Sequence, residues 1–205
     1  MDTNHKIATA IVSNRLIKPM TVLALMEMAA HTKYETCPIV ATEGYTTAEG
    51  RSYCVVQAQK AGCSHVLFID DDMTFPKDTI ERLLSHEKEI VGVYSYSRKL
   101  PLSTTVSMLD ENGNHLPRHQ IMFERRPQSL FECFAVGMGV TLIDMAVFEK
   151  IERPWFQFQS HESGKVLVGE DAWFCKQARE KGIGVWCDPT VPVGHIGDYE
   201  YGPNE

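Results

Sequence analysis

Several large protein classes are excluded by what the sequence does not contain. No apolar run approaches the roughly 18 residues that a membrane-spanning helix needs; stretches such as Met20–Met26 and Phe134–Ile143 stop far short. The first residues, Met1–Lys6, are polar, and the apolar Ile7–Val12 that follows is too short for the core of a secretion signal. Cationic residues are also scarce, with 20 Lys+Arg against 27 Asp+Glu and a formal net charge of -7. That balance is poor material for neutralising a phosphate backbone, so no nucleic-acid partner is expected. The one dense basic spot is Arg125–Arg126. No Gly-x-x-x-x-Gly-Lys-Ser/Thr and no Gly-x-Gly-x-x-Gly occurs, which removes Walker-type NTPases and dinucleotide oxidoreductases. Six cysteines contain no Cys-x-x-Cys pair and lie mostly within apolar runs, as buried reduced thiols of a cytoplasmic protein would. There is no internal repeat, low-complexity segment or linker.

What remains is ordinary globular material. The 205 residues are 43% hydrophobic, 9% aromatic and 23% charged, which rules out disordered, collagen-like and coiled-coil chains. The length suits one domain, and a chain of this size buries roughly 70% of its unfolded surface without needing staples. Ile7–Val12 reads as a strand, and Pro19 opens a helical pattern through Met20, Leu23, Met26 and Ala30. Pro38–Ala41 is a second strand, and Thr46-Thr47-Ala48-Glu49 is a capping box for a helix carrying Tyr53, Val56, Gln57 and Lys60 up to Gly62. His65–Ile69 is a continuous apolar strand, buried on both faces, that ends in Asp70-Asp71-Asp72. Thr74-Phe75-Pro76 starts a third helix with Ile80, Leu83 and Leu84 inward, and Ile90–Tyr94 is the next strand. Three β-α units in succession predict a right-handed, Rossmann-like half over about 6–97.

Beyond it the pattern is mixed. Ser103–Leu109 reads as an edge strand, Asn112-Gly113 as a hairpin turn, and Phe131–Ile143 as a strand continuing around Gly137-Met138-Gly139. Asp144 caps a short helix to Ile151, Glu170–Lys181 is a helix ended by Gly182, and Gly184–Cys187 is a last strand. Gly194–Gly202 reads as a polar, glycine-rich loop, 199–205 as a flexible tail, and Asp198–Glu205 as a lid that orders on donor binding.

The chemistry gathers at carboxylates. Asp70-Asp71-Asp72 stands where open α/β sheets place ligands, at the carboxyl end of a strand. Alternate side chains of an extended segment point the same way, so Asp70 and Asp72 face one ligand while Asp71 points aside. Hard oxygen ligands suit Mg²⁺ or Mn²⁺ held jointly with substrate phosphates; the plainer reading is an acidic turn capping the next helix. Glu170 and Asp171 begin a helix, where carboxylates complement the macrodipole without any functional reason. His195 lies between Gly194 and Gly197, which leave its ring accessible. Arg51 and Arg98 are candidate diphosphate contacts, with solvated surface arginines as the alternative.

Taken in order, Leu67–Pro76 around the three aspartates, Gly137–Ile143, Gly169–Cys175 and Gly194-His195 resemble the GT-A glycosyltransferases, above all the compact family-2-like enzymes of bacteria and phages. The resemblance spans about residues 6–198. It implies an α/β fold, Rossmann-like, with a mostly parallel central sheet in a single domain. It also implies a nucleotide-diphospho-sugar donor, a divalent metal and a host cytoplasm if the source is a phage. By the same resemblance, Asp70 and Asp72 contact the donor ribose and the metal, Asp72 foremost as metal ligand, and His195 completes the metal site; Asp71, Arg51 and Arg98, near the sheet edge, are the further donor-contact candidates. Gly137 and Gly139 line the sugar pocket, and Glu170 and Asp171 stand beside the acceptor with Asp171 as base. The Gln-x-x-Arg-Trp motif of processive synthases is missing, which implies a single-transfer enzyme.

A nucleotidyltransferase is the alternative enzyme, but its glycine-rich loop after the first strand is replaced here by Ser13–Pro19 without a glycine. A non-catalytic nucleotide-sugar or glycan binder is the other alternative. The base of the donor is expected near Val12–Ile17 and Thr42–Arg51. The acceptor, whether glycan, lipid, protein or small molecule, is expected along Leu100–Leu130 and the aromatic Trp155-Phe156-Gln157-Phe158.

Overall fold

The computed structural model describes residues 5–13, 16–42, 44–98, 102–116, 126–164, 166–197 and 200–201. Its elements in chain order are β1 (Lys6–Val12), α1 (Pro19–His31), β2 (Glu35–Ala41), α2 (Thr47–Lys60), β3 (His65–Asp70), β4 (Met73–Thr74), α3 (Thr79–Leu84) and β5 (Ile90–Val93). There follow β6 (Met108–Leu109), β7 (His115–Leu116), β8 (Phe131–Cys133), β9 (Val140–Asp144), α4 (Val147–Lys150), β10 (Gln159–Ser160) and β11 (Val166–Val168). The chain continues with α5 (Glu170–Glu180), β12 (Val185–Asp188), β13 (Gly194–Ile196) and β14 (Glu200–Tyr201).

A seven-stranded sheet in the order β2-β1-β3-β9-β5-β12-β8 forms the middle layer. β1 pairs in parallel with β2 and β3, and β5 with β12, whereas β9 runs antiparallel between β3 and β5 and β8 runs antiparallel on the far edge. Five of the seven strands therefore share one direction. Strand alternation sends Ala8, Ala10, Val66 and Phe68 to one face, where they meet Cys54, Val55 and Ala58 of α2 and Phe174, Cys175 and Ala178 of α5. Ile7, Ile11, Leu67 and Ile69 go to the other face, against Ala24 and Met28 of α1 and Ile80 and Leu83 of α3. Both faces being covered explains why β3 reads as an unbroken apolar run. Among the described residues no helix is long and apolar enough to cross a membrane. All six cysteines are unpaired thiols, five of them buried.

The structure differs from the sequence expectations at several elements. The Met20, Leu23, Met26 and Ala30 stripe of α1 faces outward, and Thr21, Ala24 and Met28 are the buried positions. The helix is apolar nearly all round, so periodicity offers two stripes, and the one with small residues allows the helix to approach the sheet. Phe131–Ile143 is two strands, not one: β8 lies on the sheet edge, β9 in its middle, and Gly137-Met138-Gly139 belongs to the connection. The third helix begins at Thr79, because Met73–Thr74 are taken up by pairing with Gly194 and His195. That pairing also makes Gly194–Ile196 a strand, not a loop. β2 begins at Glu35 and carries Pro38 within it, tolerated because β2 is an edge strand. The Asn112-Gly113 turn joins β6 to β7, with Gly113 at φ 78°. Arg125, much of Leu100–Leu130, part of the early loops and nearly all of the 199–205 tail lie outside the described residues.

Candidate functional site

The carboxyl ends of β1 and β3, the first turns of α2 and α5 and the strand β13 converge on a pocket of about 450 Å³. Its lining includes Asp70, Asp71 and Asp72 from β3 and the turn after it, Arg51 and Thr47 from α2, Glu170 from α5, and Arg98 and His195. The capping box sets the start of α2: Thr46 Oγ1 accepts from Glu49 N–H at 3.3 Å, and the Glu49 carboxylate accepts from Thr46 N–H at 2.8 Å. One turn further on, Arg51 faces the sheet. Gly50 allows this close approach, since a Cβ there would fall 2.6 Å from Val12 Cγ1.

Arg51 is no surface arginine. Its side chain is 4% exposed, with Nη2 donating to Asp70 Oδ1 at 3.0 Å and Nε to Glu170 Oε1 at 3.3 Å. Burial works against its charge, but Asp70, Glu170 and Asp171 outweigh this and raise its pKa. Burial pushes the Glu170 carboxyl above the usual range in spite of Arg51. Asp71 is buried and accepts from Ser13 Oγ at 2.6 Å, tying the ends of β1 and β3 together.

Asp72, 4% exposed at its side chain, meets a guanidinium and an imidazole: Oδ2 accepts from Arg98 Nη1 at 2.7 Å, and Oδ1 faces His195 Nε2 at 3.0 Å. The other ring nitrogen of His195 donates from Nδ1 to the Tyr96 carbonyl at 2.8 Å. Burial disfavours the charged ring, but the bonds to Asp72 and to that carbonyl prevail and raise its pKa. Fixing the proton on Nδ1 leaves Nε2 as the ligating nitrogen of the neutral ring, the arrangement in which histidine holds metals. Asp72 and His195 thus fit a divalent ion that takes its remaining ligands from phosphate and water, as Mg²⁺ does with one or two protein groups. Asp70 does not join them here, being paired with Arg51, and among the described residues no group of three or more His, Cys, Asp or Glu side chains is placed to hold a metal ion.

Asp171 lines a second pocket of about 520 Å³, together with Ser107, His115, Phe134, Gln159, Leu167 and Lys176 among others. Neighbouring residues on α5 therefore serve two pockets, Glu170 the first and Asp171 the second. Asp171 Oδ1 accepts from Ala172 N–H at 2.7 Å, which fixes its direction. Gly137 and Gly139 stand behind the carboxylates: a Cβ on Gly139 would lie 3.4 Å from Asp70 Oδ2, and one on Gly137 would lie 3.8 Å from Asp171 Oδ2. Of the aromatic stretch, Trp155 and Phe156 are core residues and Phe158 is 38% exposed. Sequence reasoning misses Phe134, Gln159 and Lys176. Lys176 lies five residues after Asp171 on the same helix, a spacing that carries no signal by itself.

Gly169 gives a direct handle on Asp171, because a Cβ there would fall 2.7 Å from its Oδ1. Gly169→Ala is expected to displace this carboxylate from its bond to Ala172 N–H while leaving the fold intact. Thermal unfolding within about 0.5 kcal/mol of wild type, with a several-fold loss of turnover, is the expected pair of results.

A scan against protein-family models and a search of curated proteins by sequence give no match. Solved structures do share the fold. A197 from STIV aligns at a TM-score of 0.62 and 17% identity, over 95% of this chain and 86% of that one. GalNAc-T7, crystallised with UDP, GalNAc and Mn²⁺, aligns at 0.55 and 11% identity over 96% of this chain, which spans only 44% of it. The chain has a compact fold of the GT-A type, with its charged pocket at the carboxyl edge of the central sheet.

Proposed function

We propose that the protein is a metal-dependent glycosyltransferase that moves a sugar from a UDP- or GDP-type nucleotide donor to a hydroxyl acceptor. The observation that carries this reading is the division of one carboxylate pair between two pockets, with Glu170 beside the aspartates and arginines and Asp171 facing the second hollow. The fold shared with a protein crystallised with UDP, GalNAc and Mn²⁺ supports it. In this reading the half over about 6–97 binds the donor and the half over 98–198 the acceptor.

Asp72 and His195 Nε2 hold Mn²⁺ or Mg²⁺, which when bound supplies the positive charge that stabilises a diphosphate leaving group. Asp70, fixed by Arg51, sits at the pocket wall toward the donor ribose, with Asp71 and Ser13 fixing the turn behind it. Arg98, part-exposed in the pocket lining, is available to the diphosphate. Asp171 accepts the proton of the acceptor hydroxyl as that oxygen bonds to the anomeric carbon, and the diphosphate departs on the opposite side of the site. Gly137 and Gly139 keep the space between the carboxylates free of side chains. The unpaired thiols are those of a reducing compartment, which supports a cytoplasmic location.

Incubation with UDP- and GDP-sugars and Mn²⁺ tests the reaction class. Slow release of nucleoside diphosphate without added acceptor is expected. Binding with no release would make the chain a binder, and nucleoside monophosphate or pyrophosphate chemistry would make it a nucleotidyltransferase.

A further inference from the structure

The two arginines of the charged pocket differ in how firmly they are held. Arg51 is enclosed, with Asp70 and Glu170 on its two sides and the Phe68 ring 5.4 Å from its guanidinium carbon. Arg98 is 36% exposed, yet its Nη1 lies 2.7 Å from Asp72 Oδ2, a carboxylate that is itself almost fully buried. The backbone beneath Arg98 is fixed: Ser97 N–H donates to the Ser103 carbonyl at 2.8 Å, the Ser97 and Ser103 hydroxyls are 2.6 Å apart, and Ser95 and Thr105 repeat the hydroxyl contact at 2.6 Å. The end of this side chain can therefore swing while its root stays in place.

The partner it holds is the carboxylate that the proposed function assigns to the metal. Removing a cation from a buried carboxylate is costly, so Arg98, alongside the His195 ring, helps to hold Asp72 when nothing else is bound. A guanidinium and a divalent ion on the same carboxylate repel each other at a separation of a few ångströms, where charges in a partly buried site interact strongly. The two contacts use different oxygens of Asp72, Oδ2 for Arg98 and Oδ1 for His195, but the repulsion disfavours co-occupancy and favours exchange. A planar guanidinium pairs equally well with a carboxylate and with a phosphate.

We infer that Arg98 is an exchangeable counter-ion of Asp72: it neutralises Asp72 while the site is empty, releases it to the divalent ion, and then pairs with the diphosphate of the donor. The inference rests on the reading of the site given above and adds a coupling to it. Metal alone must displace Arg98 without a new partner for the guanidinium. Metal arriving with diphosphate provides that partner, so each ligand tightens the other. The exchange keeps Asp72 from being loaded with metal in the absence of donor.

The test is Mn²⁺ affinity, read from the electron paramagnetic resonance signal of the free ion, with and without UDP or GDP. It is made on wild type, Arg98→Ala, Arg98→Gln and Asp72→Ala, each checked for a wild-type thermal transition. Arg98→Ala and Arg98→Gln are expected to bind Mn²⁺ alone several-fold more tightly than wild type. The factor by which nucleoside diphosphate tightens Mn²⁺ is expected to be about 5-fold or more in wild type and to shrink in both variants. Unchanged or weaker Mn²⁺ binding in both, with undiminished coupling, overturns the exchange. If Asp72→Ala alone loses Mn²⁺ while the Arg98 variants behave as wild type, only this inference falls. If wild type binds neither Mn²⁺ nor nucleotide, the reading of the site falls and the exchange with it.

Discussion

Asp171→Asn is expected to lower donor hydrolysis, with water as the acceptor, by about 10²- to 10⁴-fold, the contribution of a positioned general base. Binding of nucleoside diphosphate with Mn²⁺ should stay as in wild type. The two halves of this expectation follow from the same placement: Asp171 lines the pocket with Phe134 and Lys176 and is absent from the lining of the pocket that holds the three aspartates. The amide keeps the shape of the carboxylate and can still accept from Ala172 N–H, so the first turn of α5 is preserved. It cannot take up a proton. Calorimetry for binding and a nucleoside diphosphate assay for turnover separate the two effects. A variant that loses donor affinity but keeps its turnover would move Asp171 out of the role of base.

Arg51→Met is expected to be the most destabilising single change at the site. The methionine fills much of the space of the arginine stem but leaves Asp70 and Glu170 without their shared cation. Removing one partner of a buried ion pair typically costs about 3–5 kcal/mol, and the lower end applies here because Asp70 is 34% exposed and can be hydrated. Glu170, 12% exposed at its side chain, cannot. Glu170→Gln combined with Arg51→Met should therefore recover part of the loss, a non-additivity that urea denaturation of the single and double variants measures. Strict additivity, or a loss below about 1 kcal/mol, would mean that the bridge between α2, β3 and α5 contributes no more than a surface pair.

How much of this was open to sequence reasoning depended on whether a feature is local. The capping box of Thr46 and Glu49, the apolar β3 with its terminal aspartates and the Asn112-Gly113 turn are each written in a few consecutive residues, and the structure has them where the sequence places them. The inward face of α1 is not legible locally because Met20, Leu23 and Met26 are more apolar than Thr21 and Ala24; only the neighbouring layer decides which stripe it accepts. β8 and β9 were fused because apolar composition does not record that the chain leaves the edge of the sheet and re-enters at its centre. At the site, the charged residues were legible as a set, but their pairing was not. The contacts Arg51–Glu170, Arg98–Asp72 and His195–Asp72 join residues 119, 26 and 123 positions apart, and no local pattern encodes them. The Tyr96 carbonyl that orients His195 is a backbone atom, invisible to any reading of side-chain types.

The proposed function makes Asp72, with His195, the metal-holding pair of a pocket for a nucleotide diphosphate. A thermal-shift panel of UDP, GDP, CDP and ADP with common UDP- and GDP-sugars tests it most directly, each with and without Mn²⁺, on wild type and Asp72→Ala. Stabilisation is expected that requires Mn²⁺, favours one base, and disappears in a folded Asp72→Ala. Folded wild-type protein that no nucleotide stabilises, with or without metal, would contradict it and reduce the three aspartates to a turn at the end of β3.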